Sequence, residues 1–172
     1  TLCPHNCHIK EGKTGQCGVR KAIGGKLYSL NYGEVSALSV DPIEKKPLVQ
    51  WKPGSEILSF GTFGCNLHCD FCQNYAISLE RPPTIPMLPE DIVRKALDLK
   101  VPSIAYTYNE PTVFYEMMWD TARLAKEHRL CNVIVTNGYI QRQALREILP
   151  YIDAMNIDLK TYSDDIYKKL GG

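Results

Sequence analysis

Residues 56–74 read "EILSFGTFGCNLHCDFCQN". The first part, "EILSFGT", is a short apolar run ending at glycine, the pattern of a buried strand. The second part carries Cys65, Cys69 and Cys72 in a loop of Gly, Asn and Asp. A structural zinc normally takes four protein ligands and a disulfide takes two. Three thiols spaced Cys-x-x-x-Cys-x-x-Cys directly after a strand therefore predict a metal centre with one coordination position left open.

Working downstream, the texture alternates. "PEDIVRKALDL" (89–99) opens with Pro89 in a helix's first turn, beside two acids. Its apolar positions Ile92, Val93, Ala96, Leu97 and Leu99 follow a 3.6-residue period. "SIAYTYNEP" (103–111) reads as a strand and turn, and residues 111–129 as a helix opened by Pro111. "CNVIVTNG" (131–138) is a strand ending at Asn-Gly, and "QRQALREIL" (141–149) a helix closed before Pro150. "AMNIDLK" (154–160) is a fourth strand, and Ser163 is the expected N-cap of a last helix. Strands alternating with helices predict parallel βαβ units, in a barrel or an open wound sheet, with chemistry at the C-terminal strand ends. The cysteine loop, "YNEP" (108–111), "TNGY" (136–139) and "DLK" (158–160) all fall at those ends. Taken singly, "YNEP" reads as a helix start with Pro111 at its first position, and "TNGY" as a turn. Their shared location makes them one candidate site. Four such strands cannot close a barrel, so the expectation is a chain truncated at its C-terminus.

Upstream, residues 1–25 are rich in Cys, Gly, Lys and His without a clear period. "KLYSLNY" and "EVSALSV", flanking Gly33, alternate as two strands and predict a hairpin, with "DPIEKKP" as a polar turn ending the pairing. The expected organisation is a Cys-rich metal-binding segment over 1–25, a hairpin and linker over 26–55, and a barrel part over 56–172.

The net charge of +1 comes from 20 basic and 19 acidic residues, which gives no electrostatic reason for a nucleic-acid partner. No apolar run has the length of a membrane span, and no signal-peptide pattern opens the chain. Seven cysteines in two tight clusters make a poor disulfide framework and a good set of reduced metal ligands, which predicts a cytoplasmic protein.

Cysteine thiolates are the usual ligands of iron–sulfur clusters, and a [4Fe–4S] cluster held by three of them keeps one iron free. Gly64 permits a sharp exit from the strand, and Phe71 could shield a cluster or lie against a flat ligand. A zinc completed by His68 or a remote ligand is the alternative; His68 is adjacent to Cys69, and neighbours seldom reach one ion together. With the aromatic Phe71 before the third cysteine, Cys65-x-x-x-Cys69-x-Phe71-Cys72 resembles the radical S-adenosylmethionine (radical SAM) signature. "YNEP" sits where that family carries a Gly-Gly-Glu-Pro-like motif. "TNGY", "DLK" and Asn74 resemble segments of glycyl-radical-enzyme activases such as pyruvate formate-lyase activating enzyme. "CPHNC" (3–7), "GKTGQCGVR" (12–20), "YGEVSALSVDPIEKKPL" (32–48) and "GCNLHCDFCQNYAIS" (64–78) together look like the radical SAM component of the AmmeMemoRadiSam system.

The resemblance implies a partial TIM-like barrel and a [4Fe–4S] cluster on Cys65, Cys69 and Cys72 whose open iron binds S-adenosylmethionine. It implies reductive cleavage to methionine and a 5′-deoxyadenosyl radical that abstracts hydrogen from a substrate. By position, the backbone at Asn109 and Glu110, after Tyr108, would meet the methionine amino group. Phe71 and Asn74 would border the cofactor. Thr136, Asn137, Asp158 and Lys160 would face the methionine carboxylate, the ribose or the substrate, with Asp158 and Lys160 as catalytic candidates. The implied partners are a low-potential electron donor of flavodoxin or ferredoxin type and either a protein substrate or Memo-like and AMMECR-like proteins. The chain departs from the family at two places. Tyr108-Asn109 replaces Gly-Gly, and Val135 stands where those activases carry an acid before Thr-Asn-Gly, against a monovalent-cation site like theirs.

Cys3, Cys7 and Cys17, with His5 and His8 beside them, form a second group suited to structural zinc, which would order a segment with little core of its own. The resemblance implies a further cysteine just ahead of Cys3. A disordered terminus or a redox pair are the other readings. Cys131 opens a strand and reads as a core residue. Against the radical SAM enzyme stands a non-catalytic zinc or iron–sulfur binding module; an electron carrier would keep all four cysteines.

Overall fold

Two glycines set the first element. The computed structural model describes residues 2–171. In it, β1 (Arg20–Ile23) and β2 (Lys26–Ser29) form an antiparallel hairpin with Ile23 opposite Lys26. Its two-residue turn is Gly24-Gly25, with φ of +59° and +72°. Two successive positive φ values match the twist of a hairpin and favour residues without a Cβ. The chain continues through β3 (Glu34–Val35), β4 (Ala37–Pro42), β5 (Glu56–Gly61) and the single-turn helix α1 (Tyr75–Ser78). Then come β6 (Ile85–Pro86), α2 (Pro89–Asp98), β7 (Ser103–Tyr106) and α3 (Tyr115–Glu127). Last are β8 (Cys131–Thr136), α4 (Arg142–Ile148), β9 (Ala154–Ile157) and α5 (Asp164–Lys169).

The pairing corrects the expected hairpin. "KLYSLNY" does not pair with "EVSALSV": β2 pairs with β1, β3 with β6, and β4 with β5. The Gly24-Gly25 turn makes the closer partner available first, and Leu27 on β2 is 57% exposed, so its alternation does not face a core. β4 instead runs along β5 from Ala37↔Gly61 to Pro42↔Glu56. "DPIEKKP" is accordingly not only a surface turn. Asp41 and Pro42 end β4, Pro42 at the rim of an edge strand where its missing N–H is harmless, and Asp41, Ile43 and Lys46 are buried.

The main sheet has the order β4-β5-β7-β8-β9. β5, β7, β8 and β9 are mutually parallel, and β4 is an antiparallel edge. Every position of β7, and β5 from Ile57 on, is buried. This continuous burial, rather than alternation, is what a parallel strand covered on both faces requires. One register row runs Phe60, Tyr106, Ile134, Met155 across the four parallel strands. Among the described residues the strands form an open sheet rather than a closed barrel.

The helices form where the sequence periodicity puts them, except that Leu97 and Leu99, expected on the apolar stripe of α2, are exposed at its C-terminal end. α2 buries Ile92, Val93 and Ala96 on one stripe, with Pro89 at its start and the Asp91 carboxylate accepting from Leu88 N–H. α3 buries Met117, Met118, Ala122 and Ala125. The stretch from Pro111 begins as a 3-10 turn over Pro111–Phe114 before the α-helix takes over. Pro150 lies in a 3-10 turn that closes α4, and Ser163 Oγ accepts from Ile166 N–H to cap α5. No helix among the described residues is long and apolar enough to cross a membrane. The parallel strands end on one side of the sheet, and the loops leaving those ends build the site.

Candidate functional site

Two glycines bring the loop ends together. At Gly61, the end of β5, a Cβ would lie 2.5 Å from the Thr107 carbonyl oxygen and 3.1 Å from Tyr108 Cβ. Bare backbone here lets the ends of β5 and β7 touch. Gly64 has φ +91°, and a Cβ there would meet Val19 Cγ1 at 2.6 Å and the Cys17 carbonyl oxygen at 2.7 Å. The cysteine loop thus leaves the strand through a left-handed turn pressed against the N-terminal segment.

The loop wraps a cavity of about 320 Å³ at the C-terminal ends of the parallel strands. Cys65, Cys69, Phe71, Cys72 and Asn74 line it after β5, and Tyr108, Asn109 and Glu110 after β7. Thr136 and Asn137 line it at the end of β8, and Asp158 and Lys160 after β9. All the residues named from the loop and the three other strand ends therefore share one cavity. Cys3, Cys7 and Cys17 do not. They line a separate pocket of about 250 Å³ with His5 and Arg20, where Arg20 pairs with Glu116 of α3.

The cavity floor is tied down by buried polar side chains. Asn109 Oδ1 accepts from Thr62 N–H at 2.9 Å, and its Nδ2 donates to the Gly64 carbonyl at 2.9 Å, so it binds the β7 end to the cysteine loop. The Glu110 carboxylate, 4% exposed, accepts from the Thr112 N–H and hydroxyl, the Thr136 hydroxyl and the Asn137 N–H. It caps the turn into α3 and joins the ends of β7 and β8. The side-chain oxygens of Glu110 and Thr136 are thereby committed to hydrogen bonds inside the protein. Asn74 is likewise engaged, its Nδ2 donating to the Tyr108 carbonyl at 2.9 Å.

Electrostatics differ around the rim. Burial pushes the Cys65 thiol up to about 12 and raises Cys69 as well. Free, these sulfurs stay protonated; a coordinated metal would displace the proton. Leu67 N–H and Asn137 Nδ2 lie 3.4 and 3.9 Å from Cys65 Sγ, donors of the kind that tune a bound cluster. Lys160 pairs with Asp158 at 2.9 Å. Burial alone would lower the Lys160 pKa, but the hydrogen bond and charge of the Asp158 carboxylate outweigh it and raise it. Phe71 is 62% exposed, so it stands at the mouth rather than in the floor.

Among the described residues no three His, Cys, Asp or Glu side chains converge on one point. A single zinc needs that convergence, with every donor within about 2.3 Å of the ion. A [4Fe–4S] cluster gives each cysteine its own iron, and three loop cysteines lining one cavity fit that pattern. The N-terminal cysteines share a pocket without forming a single-ion set.

Four contributors escaped the sequence reading. Asn66, fully buried between Cys65 and Leu67, donates to the Tyr139 carbonyl and accepts from Asn137 Nδ2 at 2.8 Å each. His5 Nε2 donates to the Asn66 carbonyl at 2.6 Å and its ring lies edge-on to Tyr139. Asp41 and Lys46 reach Tyr108 from β4 and the turn after it. No short-range pattern marks any of them; an Asn in a loop and charges in a Pro-bounded turn look solvated.

Residues 60–172 match the model of the radical SAM superfamily. The chain is 48% identical, over 98% of its length, to an uncharacterized protein of Methanocaldococcus jannaschii, of which it covers 51%. It is 25% identical over 64% of its length to a protein of the same organism named provisionally as a glycyl-radical enzyme activating enzyme, covering 42% of it. It is 29% identical over 81% of its length to molybdenum cofactor biosynthesis protein 1 of Drosophila melanogaster, covering 27% of it. The chain thus spans about half the length, or less, of the curated relatives it matches. With its three-cysteine loop at the head of a parallel sheet, the chain belongs to the radical SAM superfamily.

Proposed function

We propose that this protein is a radical SAM enzyme, reductively cleaving S-adenosylmethionine in the cavity above β5, β7, β8 and β9. The observation that carries this reading is the single cavity shared by the cysteine triad and the three other strand ends. Proteins of this superfamily generally bind a [4Fe–4S] cluster and S-adenosylmethionine. Bound there, the cluster supplies the low-potential electron that breaks the sulfonium bond.

The chain's own residues divide that work. Cys65, Cys69 and Cys72 hold the cluster, while the Leu67 N–H and the Asn137 amide donate toward the Cys65 sulfur. The Asn109–Glu110 backbone receives the methionine amino group. Glu110, Thr136 and the Asn137 N–H act by fixing that backbone, since their hydrogen bonds are spent on each other. The Lys160 ammonium, pointed by Asp158, receives a carboxylate, either the methionine's or the substrate's. Phe71 at the mouth keeps water from the cluster. A glycyl-radical substrate is supported by the name of one relative, and Val135, in place of an acid, weighs against a cation site of the activase kind. A zinc at Cys3, Cys7 and Cys17 would need their sulfurs to draw together around one ion; a flavodoxin- or ferredoxin-type protein is the electron donor.

The test is product. Full-length protein, purified without oxygen, reduced with dithionite and given S-adenosylmethionine, is expected to form 5′-deoxyadenosine, read by chromatography. Iron-loaded protein that binds S-adenosylmethionine and never yields the nucleoside would refute the reading.

A further inference from the structure

The peptide after β7 turns in a way that a tyrosine resists. Asn109 N–H donates back to the Thr107 carbonyl at 3.0 Å, closing a three-residue turn centred on Tyr108. Tyr108 has φ +71°. A γ-turn with positive φ is the rare and strained hand, and a bulky aromatic is among the residues least suited to it. Such strain persists only where the surroundings over-determine it. The turn has no room to relax toward β5, because Thr107 and Tyr108 already press on Gly61.

The surroundings that fix it come from β4 and the turn after it. The Tyr108 hydroxyl donates to Asp41 Oδ2 at 2.7 Å. Lys46 Nζ donates to the same oxygen at 2.7 Å and stands 4.8 Å from the centre of the Tyr108 ring, while Lys45 takes the other Asp41 oxygen at 2.8 Å. Asp41 and Lys46 are 3% and 2% exposed. Asp41 lies opposite Ile57 on β5, so the anchor is part of the main sheet. Burial alone would raise the Asp41 pKa, but the hydrogen bonds from Lys45, Lys46 and Tyr108 reverse this and hold it well below the ordinary carboxylate range. On the far side, Asn74 of the cysteine loop holds the Tyr108 carbonyl. The turn is therefore pinned at its phenol, its ring and its carbonyl. Burying an ion pair gains little stability over an apolar pair, so its use here is better sought in what it holds in place.

We propose that Asp41 and Lys46 are positioning residues of the S-adenosylmethionine site, locking Tyr108 in the left-handed turn so that the Asn109–Glu110 backbone stands ready to receive the methionine amino group. The inference rests on the reading under Proposed function. Where glycine would adopt this turn freely and fluctuate, tyrosine adopts it because its phenol is tied to the sheet. The pair works through Tyr108 and touches neither cluster nor ligand.

The experiment measures S-adenosylmethionine binding by equilibrium dialysis on full-length, cluster-loaded protein, with iron counted in each sample. Tyr108→Phe removes one hydroxyl and leaves the packing intact. It is expected to keep its iron and to bind about tenfold more weakly, the effect of losing one hydrogen bond to a charged group. Asp41→Asn is expected to weaken binding in the same way when Tyr108 is present. In a Tyr108→Gly background, where no phenol remains to be held, Asp41→Asn should change binding by less than about twofold. A crystal structure of Tyr108→Phe should show the residue out of the left-handed region. Binding by Tyr108→Phe equal to the native, with iron intact, overturns the inference and leaves the radical SAM reading standing. An Asp41→Asn loss of the same factor in the Tyr108→Gly background also overturns it, because the effect would then not pass through Tyr108. Native protein that holds iron but binds no S-adenosylmethionine overturns both.

Discussion

Cys65, Cys69 and Cys72 and Cys3, Cys7 and Cys17 begin with the same Cys-x-x-x-Cys spacing, yet the fold treats them differently. The loop triad faces three other strand ends that bring a carboxylate–ammonium pair, buried amides and turned backbone to one cavity. The N-terminal triad shares its pocket with Ile9 and Leu27, with His5 and with the Arg20–Glu116 ion pair, and Cys7 is exposed. Spacing permits ligation in both places. What lies across the first cavity is the polar ends of three further strands, which the second pocket does not have. The second still bears on the first, because Cys17 packs against Gly64 and His5 holds the Asn66 carbonyl.

The comparison breaks most readily at the cysteines themselves. Replacing Cys65, Cys69 and Cys72 together by Ala should abolish the loop cluster in anaerobically purified full-length protein. Replacing Cys3, Cys7 and Cys17 together should leave the loop iron and acid-labile sulfide in place. Equal iron loss from both triples would mean that the two triads form one site. Next in size is Glu110→Ala, which leaves four buried donors without their acceptor. It should cost about 3 kcal/mol in a denaturant titration, with the S-adenosylmethionine site weakened as well. Gly61→Ala should cost roughly 2 kcal/mol, because its Cβ would meet the Thr107 carbonyl. A neutral Gly61→Ala would show that the ends of β5 and β7 are not tightly apposed. The smallest effect belongs to the contact between the regions: His5→Ala removes one hydrogen bond to the Asn66 carbonyl and should cost about 1 kcal/mol. A cost near that of Glu110→Ala would make the N-terminal segment part of the site's framework rather than its cover.

The parallel part of the fold was legible because its signals are local. Buried runs such as Ile57–Gly61, helix stripes such as Ile92, Val93 and Ala96, and Ser163 as a cap each announce themselves within a few residues. The loop cysteines were legible because three thiols in eight residues demand a chemical reason. The strand pairings upstream were not, since "KLYSLNY" alternates whichever neighbour it joins, and only the Gly24-Gly25 turn decides the partner. The site's supports were hidden for a related reason. Asp41 and Lys46 sit in a run of charges broken by Pro42 and Pro47, and their burial depends on β5 and β7, which begin 10 or more residues along the chain. Glu110 and Thr136 were placed correctly at strand ends, but that their oxygens face each other instead of a ligand follows only from the juxtaposition of β7 with β8. Tyr108 stands in place of a glycine, and the left-handed turn is made all the same, with a tyrosine pinned into it.

The central claim is that the loop triad leaves a coordination position which S-adenosylmethionine takes. The most direct measurement is the electron paramagnetic resonance spectrum of the reduced, full-length protein before and after S-adenosylmethionine is added. The expected result is about four irons in the loop cluster and a spectrum that changes on addition, because the ligand would enter the coordination of the open iron. An iron-bearing protein whose spectrum is the same with and without S-adenosylmethionine, or a protein that carries zinc and no iron at the loop, would contradict it.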